Sequence, residues 1–308
     1  MKIVVAGGSG FLGAHLCRKL STEGHEVFCI DDGSSSDISS IKSLDVKFIN
    51  HDITVPFDIE VDQIYNLACP ASPKQYQANP IKTILTNVQG SYNLLELARK
   101  YRARILQAST SEVYGDPEVT PQYESYFGRV NPIGVRSCYD EGKRCAESMF
   151  FSHQKEYGTD IRVMRIFNTY GPGMHVHDGR VISNFVTQAL LNLPITIEGS
   201  GCQTRSFCYV DDLIQGMVMM MNGQDIGPIN FGTQFEISIY DLANRIIKLT
   251  NSKSVIKFCP AASDDPFRRC PDTTKADQIG WKPTTSLDDG LVSVIKYFNG
   301  VLLDQKVI

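Results

Sequence analysis

At 308 residues, with 42% hydrophobic and 21% charged side chains, the chain has the composition of a soluble globular protein built as one large domain or two closely joined ones. A formal net charge of −4 argues against a nucleic-acid partner bound through bulk positive potential, yet leaves room for a phosphorylated small ligand held by a few local arginines. The nine cysteines form no CxxC pair, and Cys17, Cys29 and Cys145 lie in apolar or helical runs, so they read as small buried hydrophobes in a reducing compartment. His175 and His177 have no partner at ligand spacing, and no metal site is expected.

The opening MKIVVAGG enters a strand directly, with no charged n-region or cleavage site. The longest apolar run, near Gly216–Met221, is too short for a membrane span and reads as one side of a buried helix. A cytoplasmic protein with no membrane partner is expected. In chain order the pattern predicts a strand at Lys2–Ala6, a helix at Phe11–Thr22, and strands at Glu26–Ile30, Lys47–Asn50 and Gln63–Leu67. A polar loop at Gly33–Ser40 separates the second and third strands. A long helix over Pro80–Tyr101, a strand at Arg104–Ala108, a helix over Tyr139–Tyr157 and a strand at Ile161–Ile166 follow. Such alternation predicts an α/β fold of Rossmann type, a doubly wound parallel sheet covered on both faces. After Tyr170 come a loop, a helix at Val181–Leu191, a strand at Ile195–Glu198 and shorter elements broken by prolines. The expected division is a dinucleotide-binding domain over 1–170, with a return segment near 207–232, and a smaller C-terminal α/β substrate-binding lobe over 171–308.

Gly7, Gly10 and Gly13 form a GxxGxxG turn between a strand and an amphipathic helix. Glycines there allow a tight turn and close backbone approach to a pyrophosphate, and the helix N-terminus offers N–H groups to it. The second strand ends near Asp31, roughly 20 residues on, where a ribose-binding acid is expected. Asp31 would repel a 2′-phosphate, and no Arg or Lys lies between Cys29 and Ile41, so NAD is favoured over NADP. Asp52, after the third strand, is placed to meet the adenine edge.

Tyr139 and Lys143, four apart on a helix, share a face. A tyrosine with an ordinary pKa near ~10 is a poor base at neutral pH. A nearby ammonium and the nicotinamide's positive charge would stabilise its phenolate, which could then take a hydroxyl proton as hydride leaves the same carbon. Ser109-Thr110-Ser111 ends the fifth strand, where ligands of open α/β sheets bind.

Several further segments carry a resemblance. They include Ala68-Cys69-Pro70-Ala71-Ser72-Pro73, Asn79-Pro80-Ile81-Lys82-Thr83, Ser109–Asp116 (STSEVYGD) and Asn131–Arg144 (NPIGVRSCYDEGKR). Arg165–Pro172 (RIFNTYGP), Asp178–Phe185 (DGRVISNF), Gln203–Phe207 (QTRSF) and Asp264-Asp265-Pro266 complete the set. On these the chain resembles the extended short-chain dehydrogenase/reductase superfamily and, within it, the UDP-glucuronic acid decarboxylase family. The resemblance implies oxidation of C4 of UDP-glucuronate by NAD+, with Tyr139 as base and Thr110 hydrogen-bonded to the same oxygen. Loss of CO2 from the resulting β-keto acid, reprotonation at C5 and return of the hydride would give UDP-xylose. It further implies that Ser111 and Glu112 handle protons or a water near C5, and that Arg269 holds the sugar carboxylate. Phe11, Leu12, Asp32, Ile53, Leu67, Thr86 and Ala108 would join Gly7, Gly10, Gly13, Asp31, Asp52, Tyr139 and Lys143 around NAD. Arg180 and Arg205 would face the diphosphate, with Asn168, Asn184 and Gln203 as polar ligands, in a homodimer.

Related dehydratases carry Asp-Glu after the threonine because expelling water needs a general acid, and here Ser111 stands first. Epimerases lack an acid there, which Glu112 argues against mildly. An oxidative decarboxylase that stops at the 4-keto pentose and releases NADH shares the Ser-Glu and Arg logic, and UDP-apiose/xylose synthase has related chemistry. Some relatives bind NAD(P) without turnover, but those often lose the Tyr or the Lys retained here. Leu85, Gly173 and Cys270 replace positive residues common in the family, and Gly33–Asp37 lacks its usual basic residues.

Overall fold

The computed structural model describes residues 1–261 and 268–304. In chain order its elements are β1 (Lys2–Ala6), α1 (Phe11–Thr22), β2 (Glu26–Asp31), β3 (Lys47–Asn50), β4 (Gln63–Asn66), α2 (Pro73–Ala78), α3 (Pro80–Leu85), α4 (Ser91–Tyr101) and β5 (Arg104–Thr110). Then come α5 (Ser137–Tyr157), β6 (Ile161–Ile166), β7 (Thr169–Tyr170), α6 (Val181–Leu190), β8 (Ile195–Glu198), β9 (Thr204–Ser206), β10 (Cys208–Tyr209), α7 (Val210–Asn222) and β11 (Ile229–Phe231). The last are β12 (Glu236–Ser238), α8 (Ile239–Thr250), β13 (Ile256–Cys259), β14 (Arg268–Arg269), α9 (Thr274–Gln278) and α10 (Leu287–Asp304).

Seven strands form one sheet in the order β11-β6-β5-β4-β1-β2-β3, and β1 through β6 pair in parallel. The expected doubly wound α/β sheet is present. Its central strands are buried along their length, because helices cover both faces and leave no polar side to alternate with. Val4, Ala6, Ile30, Ile64, Leu94, Ala98, Ile105, Phe150 and Val163 belong to one core between sheet and helices. Strand order reverses between β1 and β4, so the crevice at their C-terminal ends is where such sheets take a ligand.

The long helix expected over Pro80–Tyr101 is interrupted. A π-helical turn, Thr86–Gly90, separates α3 from α4. Side-chain size and polarity account for it. A Cβ at Gly90 would stand 2.5 Å from Ile53 Cδ1, and Asn87 donates to Thr83 O (3.0 Å) and Cys69 Sγ (3.1 Å). Such turns gather at functional sites, and this one carries Thr86 to the cleft described below.

The chain divides into two compact units, Met1–Val113 with Val130–Ile166 and Ile214–Ile229, and Tyr114–Arg129 with Phe167–Leu213 and Asn230–Ile308. The segment Tyr114–Arg129, placed by sequence within the first 170 residues, therefore packs with the second unit, and the return segment is shorter than 207–232. Bonds to residues far along the chain account for it: Gln122 takes the backbone N–H of Cys270 (2.9 Å), and Tyr114 Oη donates to Asn230 Oδ1 (2.7 Å). Within the second unit β9 lies between β12 and β14, and helices α6, α8 and α10 pack together. Gly290 of α10 sits against Tyr170, whose Oη a Cβ would meet at 2.1 Å. Among the described residues no helix is long and apolar enough to cross a membrane.

Candidate active site

The glycine turn is shaped by lack of side chains. Gly7 has φ +77°, and a Cβ there would lie 2.8 Å from the backbone of Leu67 and Ala68. A Cβ at Gly13 would come within 2.1 Å of Gly7 O. Gly10 caps α1 with no side-chain hydrogen bond, leaving that helix end to backbone amides, as a pyrophosphate requires. Gly7, Gly10, Asp31, Asp32, Asp52, Ile53, Leu67 and Thr86 line one cleft, so sequence and structure place these at one site. Phe11 and Leu12 open α1 beside it, and Ala108 lies on β5.

Asp31 Oδ1 accepts from Gly33 N (3.0 Å) and Ser36 Oγ (2.8 Å), and Oδ2 accepts from Ser9 N (3.1 Å). A carboxylate has about four acceptor positions, so one remains while Ser36 stays in place. Lys82, noted from sequence only as one turn from Leu85, ion-pairs with both Asp32 (3.3 Å) and Asp52. Burial would raise both carboxyls, but hydrogen bonds from Ser34 and then Lys82 to Asp32, and from Lys82 and Thr54 to Asp52, hold both below the usual range. Three acids against one lysine leave this end of the cleft negative, which suits a ribose diol and repels a 2′-phosphate. The turn a Cβ would block, the helix end without a side-chain cap and the ribose acid together fit NAD. Bound there, the pyrophosphate would meet Gly7–Gly13 and the adenosine ribose Asp31.

Tyr139 and Lys143 lie on buried turns of α5. Tyr139 stacks on Tyr76 with ring centroids 5.0 Å apart and exchanges a hydrogen bond with Thr110. Lys143 Nζ donates to Ala108 O (2.8 Å) and stands 5.8 Å from the Tyr139 ring centre. Burial pushes the Tyr139 phenol well above its ordinary range, with Cys69 adding to it and the Thr110 hydrogen bond opposing. Burial likewise lowers Lys143. In the described structure burial therefore dominates the Tyr139 phenol, and only the Thr110 hydrogen bond works the other way.

Below Thr110, β5 and α5 are joined by a buried network. Ser109 Oγ donates to Glu147 Oε1 (2.5 Å), and Arg165 clamps both Glu147 oxygens (2.9 and 2.7 Å). Glu112 follows in a 3₁₀ turn, Ser111–Tyr114, and its backbone N–H donates to Thr110 Oγ1 (3.2 Å). Its carboxylate pairs with Arg136 at 2.5 Å.

In the second unit, Arg205 on β9 and Arg269 on β14 are register partners on adjacent parallel strands, and both are buried. Adjacent residues of parallel strands point to the same face, so two guanidinium groups are presented together. Arg268 points the other way, to Glu236 (2.8 Å). Asn168 Nδ2 donates to Ser206 O (3.4 Å) and Gln203 Nε2 to Glu198 O (2.6 Å), which places both beside β9. Arg180 precedes α6 with its guanidinium clamped by Asp178 (3.0 and 2.8 Å), and Asn184 donates to Gly179 O (3.0 Å).

Residues 3–232 match the model of the NAD dependent epimerase/dehydratase family. The chain is 51% identical to UDP-glucuronic acid decarboxylase 5 of Arabidopsis thaliana, over 94% of this chain and 87% of that one. It is 50% identical to UDP-glucuronic acid decarboxylase 1 of Danio rerio, over 99% and 74%. The chain belongs to the UDP-glucuronic acid decarboxylases. Of solved structures, the UDP-glucuronic acid 4-epimerase of Bacillus cereus, in complex with UDP-glucuronic acid and NAD, superimposes with a TM-score of 0.88. Its identity to this decarboxylase-family chain is 28%, over 98% of this chain and 100% of that one.

Several departures from the family pattern have structural reasons. Leu85 is half exposed, while Lys82, one turn earlier, brings positive charge to the cleft. Gly173 has φ +89°, where a side chain is strained. Cys270 is 4% exposed, with its sulfur near Gln234 O (3.8 Å), so the thiol fills a packed position. Cys145, expected to be buried, is exposed, because it lies on the solvent side of α5; Cys17 and Cys29 are buried. Asp264-Asp265-Pro266 lies outside the described residues. Sequence reasoning gave Arg136 no role, although Asp140 stands four residues on, because its nearer partner Glu112 lies far back in the chain. Lys82 was noted only as lying one helical turn from Leu85, since its partners Asp32 and Asp52 are distant in sequence.

Proposed function

We propose that this protein converts UDP-glucuronate to UDP-xylose and CO2, with NAD regenerated in each cycle. The observation that carries the reading is the Thr110-Ser111-Glu112 turn, with Glu112 paired to Arg136 and Thr110 bonded to Tyr139. When bound, NAD supplies a reversible hydride acceptor. Tyr139 takes the proton of the C4 hydroxyl while Thr110 holds that oxygen in place. With a carbonyl at C4, the C5 carboxylate is that of a β-keto acid and leaves as CO2, its bonding electrons passing to the C4 oxygen. Thr110 and Tyr139 stabilise that oxygen, and Tyr139 returns its proton when the C4 hydroxyl is restored. An anionic Glu112 with Ser111 orders the water that reprotonates C5. Arg205 and Arg269 supply charge for the diphosphate and the sugar carboxylate, with Arg180, Asn168, Asn184 and Gln203 completing the substrate contacts. Exposed Ile81, Leu85 and Tyr92 on α3 and α4 support a homodimer through these helices, for which light scattering should return twice the chain mass.

Purified protein given UDP-glucuronate and NAD should yield UDP-xylose and CO2 by mass spectrometry, with no lasting rise in NADH absorbance. Stoichiometric NADH with a 4-keto pentose would instead establish the oxidative decarboxylase. Conversion to UDP-galacturonate without CO2 would establish an epimerase.

A further inference from the structure

We propose that Arg136 is a positioning residue for this reaction: it holds Glu112 beside Thr110 and ties the turn bearing both to the helix start bearing Tyr139. The inference rests on the decarboxylase reading above. Arg136 caps α5 from outside, three residues before Tyr139. Its guanidinium meets two carboxylates on two elements, Glu112 Oε2 through Nη2 (2.5 Å) and Asp140 Oδ2 through Nε (3.8 Å). All three side chains are close to fully buried, at 13% exposure or less.

The physical need is plain. A buried carboxylate with no cation beside it takes up a proton. Glu112 stands two residues after Thr110 and Asp140 directly follows Tyr139, and both charges raise the proton affinity of the Tyr139 phenol. One shared guanidinium keeps Glu112 ionised and shields the phenol from both acids. Arg136, just before α5, is acted on by Glu112, by Tyr76 of α2 and by Asp140 of α5, and Tyr139 of α5 feels both Glu112 and Asp140. Arg144, a turn further along α5, donates to Val113 O (2.9 Å), next in chain to Glu112. Burial works against the charge on Arg136, yet Glu112, then Tyr76 and Asp140, hold it above the usual guanidinium range. A lysine offers one point charge and cannot meet two acids with a planar fork.

The test uses R136M, R136K, E112Q and the E112Q/R136M double variant, with two readouts. In cofactor-free protein, infrared titration follows the Glu112 carboxylate, assigned by its loss in E112Q. Its midpoint should rise by at least about one pH unit in R136M, as expected for a buried acid deprived of its cation. With NAD and UDP-glucuronate, kcat of R136M should fall about 10²-fold, the scale of one proton-handling group, with KM changed much less. The acid limb of its pH profile should move up with the infrared midpoint, and R136K should recover part of both. The double variant should be little worse than either single variant. An unmoved midpoint, with a pH profile parallel to the wild type, would overturn the proposal. Should R136M not fold, R136K decides: wild-type kcat and midpoint in R136K would overturn it, and a roughly 10-fold loss of kcat supports it. Wild-type protein that leaves UDP-glucuronate unchanged would refute the decarboxylase reading by itself, while the infrared arm still judges the Arg136–Glu112 pairing.

Discussion

Gly13 has no room for a side chain, because its Cβ would press on Gly7 O at 2.1 Å, and backbone cannot rotate out of the way. Gly13→Ala should therefore cost about 1–3 kcal/mol in urea denaturation and weaken NAD binding in calorimetry. Tyr139 is a different kind of residue, since burial, with Cys69, Glu112 and Asp140, pushes its phenol well above the ordinary range. Tyr139→Phe should keep fold and NAD affinity while losing roughly 10²–10⁴-fold in turnover, read as CO2 release. Asp31, bonded to Ser9, Gly33 and Ser36 and next to Asp32, is the residue on which the expected preference for NAD rests. NADP should bind at least about 10-fold more weakly than NAD, and Asp31→Asn should narrow that gap in competition titrations.

Between elements, buried polar networks set the register of α5. The Ser109–Glu147–Arg165 cluster fixes that helix to the ends of β5 and β6 directly beneath Thr110. Glu147→Gln removes the charge that Arg165 clamps, so a loss of about 3–5 kcal/mol in stability and a drop in turnover are expected from denaturation and assay. At the outer ends of α4 and α5, Glu96 accepts from Arg99 (2.7 Å) and His153 (3.0 Å), which lower its carboxyl to about 2. A depressed carboxyl stabilises the fold above its unfolded value and loses that contribution as pH falls through the folded one. Comparing wild type with Glu96→Gln, the stability gap should be full above roughly pH 4.5, narrow below it and close near pH 2. Because Glu96 is about one-third exposed, the gap at neutral pH should be no more than about 1 kcal/mol.

For the whole molecule, the order β3-β2-β1-β4-β5-β6 puts the glycine turn and Thr110 at the same ends of one parallel sheet. That arrangement lets a single dinucleotide reach from Asp31 to Tyr139. A ligand that binds only the folded chain stabilises it by mass action, about 2.7 kcal/mol at a hundred times its Kd. NAD should raise the melting temperature accordingly, UDP should add to it, and NADP at equal concentration should do less. A melting temperature insensitive to NAD would contradict the cleft assignment.

Much of this was already legible in the amino-acid order. Strand and helix bounds in the first half follow from period and β-branching, which are local, and GxxGxxG, Asp31 and the Tyr139–Lys143 spacing are fixed by chain geometry over a few turns. The family segments named the reaction. What sequence alone left undecided depends on groups far apart in the chain. The π turn at Thr86–Gly90 answers to Ile53, and Tyr114–Arg129 leaves the first unit because Tyr114 and Gln122 bond to Asn230 and Cys270. Arg205 meets Arg269 only through strand pairing. Lys82 finds Asp32 and Asp52, and Arg136 finds Glu112, only once the sheet brings separate loops to one edge. Burial, which no local pattern measures, pushes the Tyr139 phenol up and the Lys143 ammonium down.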